Sequence, residues 1–213
     1  MRATCLLIDH DDTLMSTFEL RAAMTALAVE EVFGEVIDGV AFLVQSQGAQ
    51  LEEMARAFTA EEALVDKYVS TYRDHYYAKN TEGLHVFDGV QATLEALVAR
   101  GVPIGVVTSK LGSGAQAEHK AAGLDHLFPV VIGAEHVTKS KPDAEPLLRA
   151  LARLDHPTHG TLMVGDTTAD ILAAQAAGVV SVAALWGAQD KQGLLAAAPD
   201  KIAETPHELL ALF

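Results

Sequence analysis

The sequence predicts an α/β fold: a doubly wound, Rossmann-like parallel sheet with an all-helical cap inserted after its first strand. Three observations carry that prediction. Five short apolar runs, bounded by Gly or polar residues, show no alternation with polar positions, as expected of strands covered on both faces. Helical segments ending at Gly fall among the later runs, so strands and helices alternate and right-handed crossovers follow. The exception is the first connection, a long stretch with helical signals and no strand signal. The expected division is residues 1–15 and 82–213 for the core and 16–81 for the helical cap.

The elements follow in order. Cys5–Ile8 is the first strand. Ser16-Thr17-Phe18-Glu19 has the pattern of a capping box ahead of the amphipathic run Leu20–Phe33. A shorter helix is expected over Gln50–Phe58, and Thr59-Ala60-Glu61-Glu62 is a second capping pattern ahead of Ala63–Tyr77. Leu14–Ser16 and about Glu82–Phe87 join this lobe to the core, with Gly83 able to absorb dihedral change. Helices Gln91–Arg100, Ala115–Ala122 and Ala169–Ala177 end at Gly101, Gly123 and Gly178, each a C-terminal cap. The remaining strands are Pro103–Val107, Val130–Ile132, Thr161–Val164 and Val180–Ala184.

Composition narrows the class. A chain of 213 residues, half of them hydrophobic, can bury one substantial core with a small lobe. The net charge of −14 leaves no basic stripe for nucleic acid and disfavours an anionic membrane surface. It does not disfavour a small phosphate ester, because one Mg²⁺ and one Lys outweigh a distant surface field. The single cysteine, Cys5, lies in an apolar run, so no disulfide forms within the chain, which fits a reducing cytoplasm. The segment Met1–Ile8 is too short for a signal peptide, and no apolar stretch approaches a membrane-spanning length. The expected chain is cytoplasmic, a monomer or weak homodimer.

Ligands of open parallel sheets bind beyond the carboxyl ends of the strands. Asp9-His10-Asp11-Asp12-Thr13 follows the first strand, Thr108-Ser109-Lys110 the second, Lys141-Pro142 comes some way past the third, and Gly165 to Asp170 closes the fourth. Asp9, Asp11 and Asp166 brought together would raise one another's pKa unless a cation lay among them. An all-oxygen ligand set suits Mg²⁺. Lys141 offers a second positive charge, and Thr108 a hydrogen bond to a phosphate oxygen. These parts meet the needs of phosphoryl transfer: a carboxylate nucleophile, a second carboxylate for acid/base work, and charge neutralisation.

These residues resemble the haloacid dehalogenase superfamily, in the branch with a helical cap after the first strand. Ile8-Asp9-His10-Asp11-Asp12-Thr13-Leu14 matches its first motif, Val106-Val107-Thr108 the second, Lys141-Pro142 the third, and Gly165 to Asp170 the fourth. Phe87-Asp88-Gly89-Val90, Lys141 to Pro146 and Pro199-Asp200-Lys201-Ile202 are similar to phosphoglycolate phosphatases and related pyrophosphatases. The resemblance implies Asp9 as nucleophile and metal ligand. It implies Asp11 as general acid/base, binding metal through its backbone carbonyl, and Asp166 as a direct metal ligand. Thr108, Ser109 and Lys141 would bind phosphate. Asp170 would act through water or Lys141. The cofactor would be Mg²⁺ and the partner a small phosphorylated metabolite. Pyrophosphatase and phosphosugar mutase activities share this machinery. A receiver-type signalling domain is shorter and capless, and carries its phospho-acceptor Asp after the third strand, where Ile132-Gly133-Ala134 stands here. Two positions depart from the family pattern: His10 replaces an apolar residue, and Asp12 replaces the commonest residue, Gly.

Several positions admit plainer roles. Lys139 competes with Lys141, and only Pro142 favours the latter. Asp170 also suits the negative charge of a helix N-terminus. His75, Tyr76 and Tyr77 close the cap, where packing between lobes competes with substrate contact. Trp186 reads as structural, and His85 and His119 carry no motif.

Overall fold

The computed structural model describes residues 2–46, 49–78 and 84–213, which divide into two compact units, Met1–Ser16 with His85–Phe213 and Thr17–Leu84. Thr81, Glu82 and Gly83, at the expected cap boundary and second linker, lie outside the described residues. The elements are β1 (Cys5–Ile8), β2 (Met15–Ser16), α1 (Phe18–Phe33), α2 (Gly39–Gln45), α3 (Leu51–Ala55), α4 (Glu62–Ala78), β3 (His85–Val86), α5 (Val90–Ala99) and β4 (Ile104–Val107). They continue as α6 (Gly112–Ala121), β5 (Val130–Ile132), α7 (Glu145–Leu154), β6 (Thr161–Gly165), α8 (Thr168–Ala177), β7 (Val180–Ala184), α9 (Lys191–Ala196) and β8 (Lys201–Ala203).

The core is a six-stranded, all-parallel sheet in the order β5-β4-β1-β6-β7-β8. Strand β1 sits inside it, with Ile8 opposite Val106 on one side and Val164 on the other. That register sets the carboxyl ends of β1, β4 and β6 side by side, so residues 9, 108 and 166 emerge at one edge. All the residues of these three strands are buried, which explains runs without polar alternation. Helix α7 shows how the faces are covered: Leu147, Ala150 and Leu151 are buried while Leu148 is 45% exposed.

The structure departs from the expectations in identifiable ways. Ser16 is not a helix cap; it pairs with His85 in a two-stranded ribbon, and α1 begins one residue past Thr17 without a capping hydrogen bond from that side chain. The helix expected over Gln50–Phe58 is shorter, ending at Ala55. Helix α2 has its own start signal, Asp38, whose carboxylate accepts from the amides of Val40 and Ala41 at 3.0 and 3.1 Å. Strand β8 is an edge strand with two of its three residues exposed, so its sequence lacks an apolar run.

The helical unit has its own core, built on Tyr68, Val65, Ala28 and Val29, with Phe33 stacked on Tyr68 at 5.8 Å and on Phe58 at 5.2 Å. His75 pairs with Glu31 at 2.8 Å and Tyr76 is buried against Tyr72, so both are engaged inside this unit. Among the described residues no helix is long and apolar enough to cross a membrane.

Neighbouring leucines on α7 test the burial account. Leu147→Ala is expected to cost about 2–5 kcal/mol of unfolding free energy by urea titration, whereas Leu148→Ala stays within about 0.5 kcal/mol. Equal losses would contradict the assignment of the buried face.

Candidate active site

The site begins with a turn. Past β1 the chain doubles back, with the amides of Leu14 and Met15 donating to the His10 carbonyl at 3.0 Å and that of Asp12 to the Met15 carbonyl at 2.7 Å. Asp12 takes φ 58°, a left-handed conformation that suits Gly and that Asp tolerates better than most residues. That accounts for Asp standing where the family pattern favours Gly. A Cβ on Gly187 would collide with the Asp12 carbonyl, and Trp186 Nε1 donates to the Thr13 carbonyl at 2.9 Å, so the segment after β7 locks the turn.

Several polar side chains then meet at the edge. Lys141 Nζ lies 2.8 Å from Asp9 Oδ1 as an ion pair and 2.6 Å from Asp170 Oδ1, and it donates to the Val107 carbonyl at 3.1 Å. The Thr13 hydroxyl donates to Asp166 Oδ1 at 2.7 Å. Asp170 serves two partners at once. Its Oδ1 holds Lys141, while its Oδ2 accepts from the amide and hydroxyl of Thr167 at 3.1 and 2.6 Å, closing the N-terminus of α8. A Cβ at Gly165 would collide with this carboxyl group, so only Gly fits there. Lys139 is far more exposed, its side chain 72% accessible and 3.6 Å from Asp143. Thr108, buried at the end of β4, accepts from the Lys110 amide at 3.1 Å; Ser109 beside it is half-buried.

The electrostatics call for a cation. Ligand atoms of Asp9, Asp166 and Asp170 lie within 4.8 Å of one another, all three residues buried. Burial is the largest influence on Asp9; with the neighbouring carboxylates it outweighs Lys141 and lifts the pKa to about 7. Burial, then Asp170, Asp9 and Asp12, hold Asp166 well above the carboxylate range. Burial opposes the Lys141 charge, but Asp170 and Asp9 outweigh it and raise its pKa. Three buried carboxylates thus face one ammonium, an imbalance that a divalent ion on an all-oxygen donor set would remove. The residues present fit Mg²⁺.

Asp170 joins Asp9 and Asp166 in this group, and the Asp11 side chain is grouped with His10 and Glu118. Lys110 Nζ lies 3.4 Å from Asp11 Oδ1 and 2.7 Å from Glu118 Oε1. His10 Nε2 meets Glu118 Oε2 at 2.6 Å, and His10 Nδ1 meets His119 Nε2 at 2.9 Å. The sequence pattern offered no role for His119 and no motif for Glu118. The available signal was a Glu at the helical spacing of Gly112, Gly114 and Ala115, the buried stripe of α6.

His119 makes the fold sensitive to acid. Burial, then the charges of His10 and Lys110, push its imidazole down to about 3. An unfolded His binds a proton near ~6.5, so below that pH the unfolded state binds more protons and stability falls as pH drops. The expected slope from this one group approaches about 1.4 kcal/mol per pH unit between ~6 and ~4. Urea midpoints measured across that range should fall more steeply for the native chain than for His119→Gln; parallel slopes would contradict a neutral buried imidazole.

Comparison with known proteins agrees with this architecture. The haloacid dehalogenase-like hydrolase profile matches residues 6–184. The pyrophosphatase PpaX of Bacillus velezensis is 31% identical over 212 residues, covering 98% of this chain and 95% of the relative. A haloacid dehalogenase-like family protein of Streptococcus pneumoniae superposes with TM-score 0.84 at 25% identity, covering 98% of this chain and 97% of that one. A predicted phosphoglycolate phosphatase from Haemophilus somnus 129PT superposes with TM-score 0.88 at 23% identity, over 100% and 98% of the two chains. With its family motifs at adjoining strand ends and a matching profile over most of its length, the chain belongs to the haloacid dehalogenase-like hydrolases.

Proposed function

We propose that this hydrolase is a Mg²⁺-dependent phosphatase of small phosphate esters, working through an aspartyl-phosphate on Asp9. The observation that carries the reading is the buried Lys141 ammonium held by Asp9 and Asp170, with Asp166 in the same carboxylate group. Lys141 orients the Asp9 carboxylate and opposes the effect of burial on its charge. A carboxylate oxygen of Asp9 attacks phosphorus, the bond to the ester oxygen breaks, and Asp11 protonates the departing alkoxide. Asp11, now a base, takes a proton from water as that water attacks the acyl phosphate. Inorganic phosphate leaves and Asp9 is restored. The Thr108 hydroxyl and Ser109 bind phosphoryl oxygens. Asp9, Asp166 and the backbone carbonyl of Asp11 would hold Mg²⁺, which would neutralise carboxylate and phosphoryl charge.

The selection of the non-phosphate part of the substrate is assigned to the unit Thr17–Leu84, favouring a small phosphorylated metabolite over a phosphoprotein. The likeness to a pyrophosphatase supports testing inorganic pyrophosphate beside 2-phosphoglycolate, with sugar phosphates next. The single, buried Cys5 supports a reducing, cytoplasmic setting.

A panel of such metabolites with Mg²⁺ should release phosphate, and excess chelator should abolish it until Mg²⁺ is restored. Full turnover in chelator, or isomerisation of a sugar phosphate without phosphate release, would sink the reading. Asp9→Asn should abolish turnover with the fold intact, and Asp11→Asn should slow it by roughly 10²–10⁴. An Asp9 variant more active than the Asp11 variant would reverse the assigned roles. Lys141→Ala should be severe and Lys139→Ala mild.

A further inference from the structure

We propose that Glu118 and His10 are positioning residues that hold Lys110 against the Asp11 carboxyl group and so fix the aim of Asp11 at the ester's leaving oxygen. The inference rests on the reading of Asp11 as the acid of the first step.

Burial is the starting point. Glu118 is 3% exposed, on the stripe of α6 that otherwise buries Gly112, Gly114, Ala115 and His119, and His10 is fully buried. A carboxylate removed from water is costly unless both its oxygens find donors. Here Oε2 is hydrogen-bonded to His10 Nε2 at 2.6 Å, and Oε1 is offset by the Lys110 ammonium as an ion pair at 2.7 Å. Burial alone would raise the Glu118 pKa, but His10 and Lys110 outweigh it and leave it lowered.

The geometry has a direction. A carboxylate only accepts, so His10 Nε2 carries a hydrogen whatever the charge on the ring. His10 Nδ1 is then tied to His119 Nε2 at 2.9 Å, and His119 lies against Phe128 with ring centroids 4.6 Å apart. The chain of contacts runs from the packed Phe128 through His119, His10 and Glu118 to Lys110, and ends 3.4 Å away on Asp11 Oδ1. Lysine is a point charge on a flexible stem, and anchoring it on a rigid carboxylate removes the freedom that would blur its placement. The same three residues, His10, Asp11 and Glu118, have ligand atoms close enough for a metal ion. The Lys110 ammonium beside both Glu118 and Asp11 provides the positive charge there instead.

An acid that is well aimed matters most when the leaving group is poor. Phenyl phosphate and p-nitrophenyl phosphate have closely similar shapes, but phenolate leaves far less readily than nitrophenolate and depends more on protonation. The test measures kcat/KM, which reports events up to departure of the leaving group, for both esters with Mg²⁺ in the native chain, Glu118→Gln, Lys110→Met and Asp11→Asn. Glu118→Gln and Lys110→Met should each lower phenyl phosphate hydrolysis by about tenfold or more and p-nitrophenyl phosphate hydrolysis by less than about threefold. The double variant should lose no more than Lys110→Met alone. Equal losses on both esters, or no loss, would overturn the proposal, because a merely structural role does not distinguish leaving groups. Should Glu118→Gln fail to fold, Lys110→Met decides by the same two outcomes. Asp11→Asn separates the two ideas. If it too is insensitive to the leaving group, the acid assignment itself falls; if it is selective while the other variants are not, only the positioning proposal falls.

Discussion

One buried ammonium organises this molecule. Lys141 is nearly inaccessible and touches Asp9 and Asp170 within 2.8 Å. Each partner comes from a different part of the chain: the end of β1, the loop after β5, and the first turn of α8. An unpaired charge at that depth would be severely destabilising, and with two carboxylates on Lys141 the loss of one charge still leaves it a partner. The same interaction that ties the sheet edge together also orients the proposed nucleophile, which makes stability and chemistry hard to separate here.

Around that contact the structure uses backbone constraints to keep oxygen atoms in place. Gly165 leaves room for the Asp170 carboxyl, and Gly187 leaves room for the Asp12 carbonyl. Thr13 fixes one oxygen of Asp166, and Thr167 fixes one oxygen of Asp170. Each carboxylate therefore reaches the site with an oxygen already committed, which is the preorganisation that charge stabilisation needs. Beside Asp11, Glu118, His10 and Lys110 form a second polar group, held by one hydrogen bond and one ion pair.

Much of this was legible from sequence because the strands are buried on both faces. Cys5–Ile8, Val130–Ile132 and Val180–Ala184 coincide with the observed strands, whose buried positions are apolar apart from Ser181, where Asp200 accepts from the hydroxyl. The strand ends then located Asp9, Thr108 and Asp166 without further information. What escaped had a physical reason. Strand β8 lies at the edge with Lys201 and Ile202 exposed, so it shows no apolar run. The two-residue ribbon of Met15–Ser16 with His85–Val86 is too short for any periodicity. The capping pattern at Ser16 failed because Ser16 is drawn into that ribbon. Glu118 was invisible and His119 had no role because buried polar side chains look like surface ones until their partner His10, a hundred residues away in sequence, is known.

The central claim is covalent: Asp9 takes the phosphoryl group. Its most direct test is rapid acid quench of a first turnover on a ³²P-labelled ester with Mg²⁺, followed by proteolysis and peptide mapping. The account predicts label that survives acid, is released by alkali, and resides on the peptide carrying Asp9. Label on another residue, or phosphate formed with no protein-bound label at any time in the turnover, would contradict it.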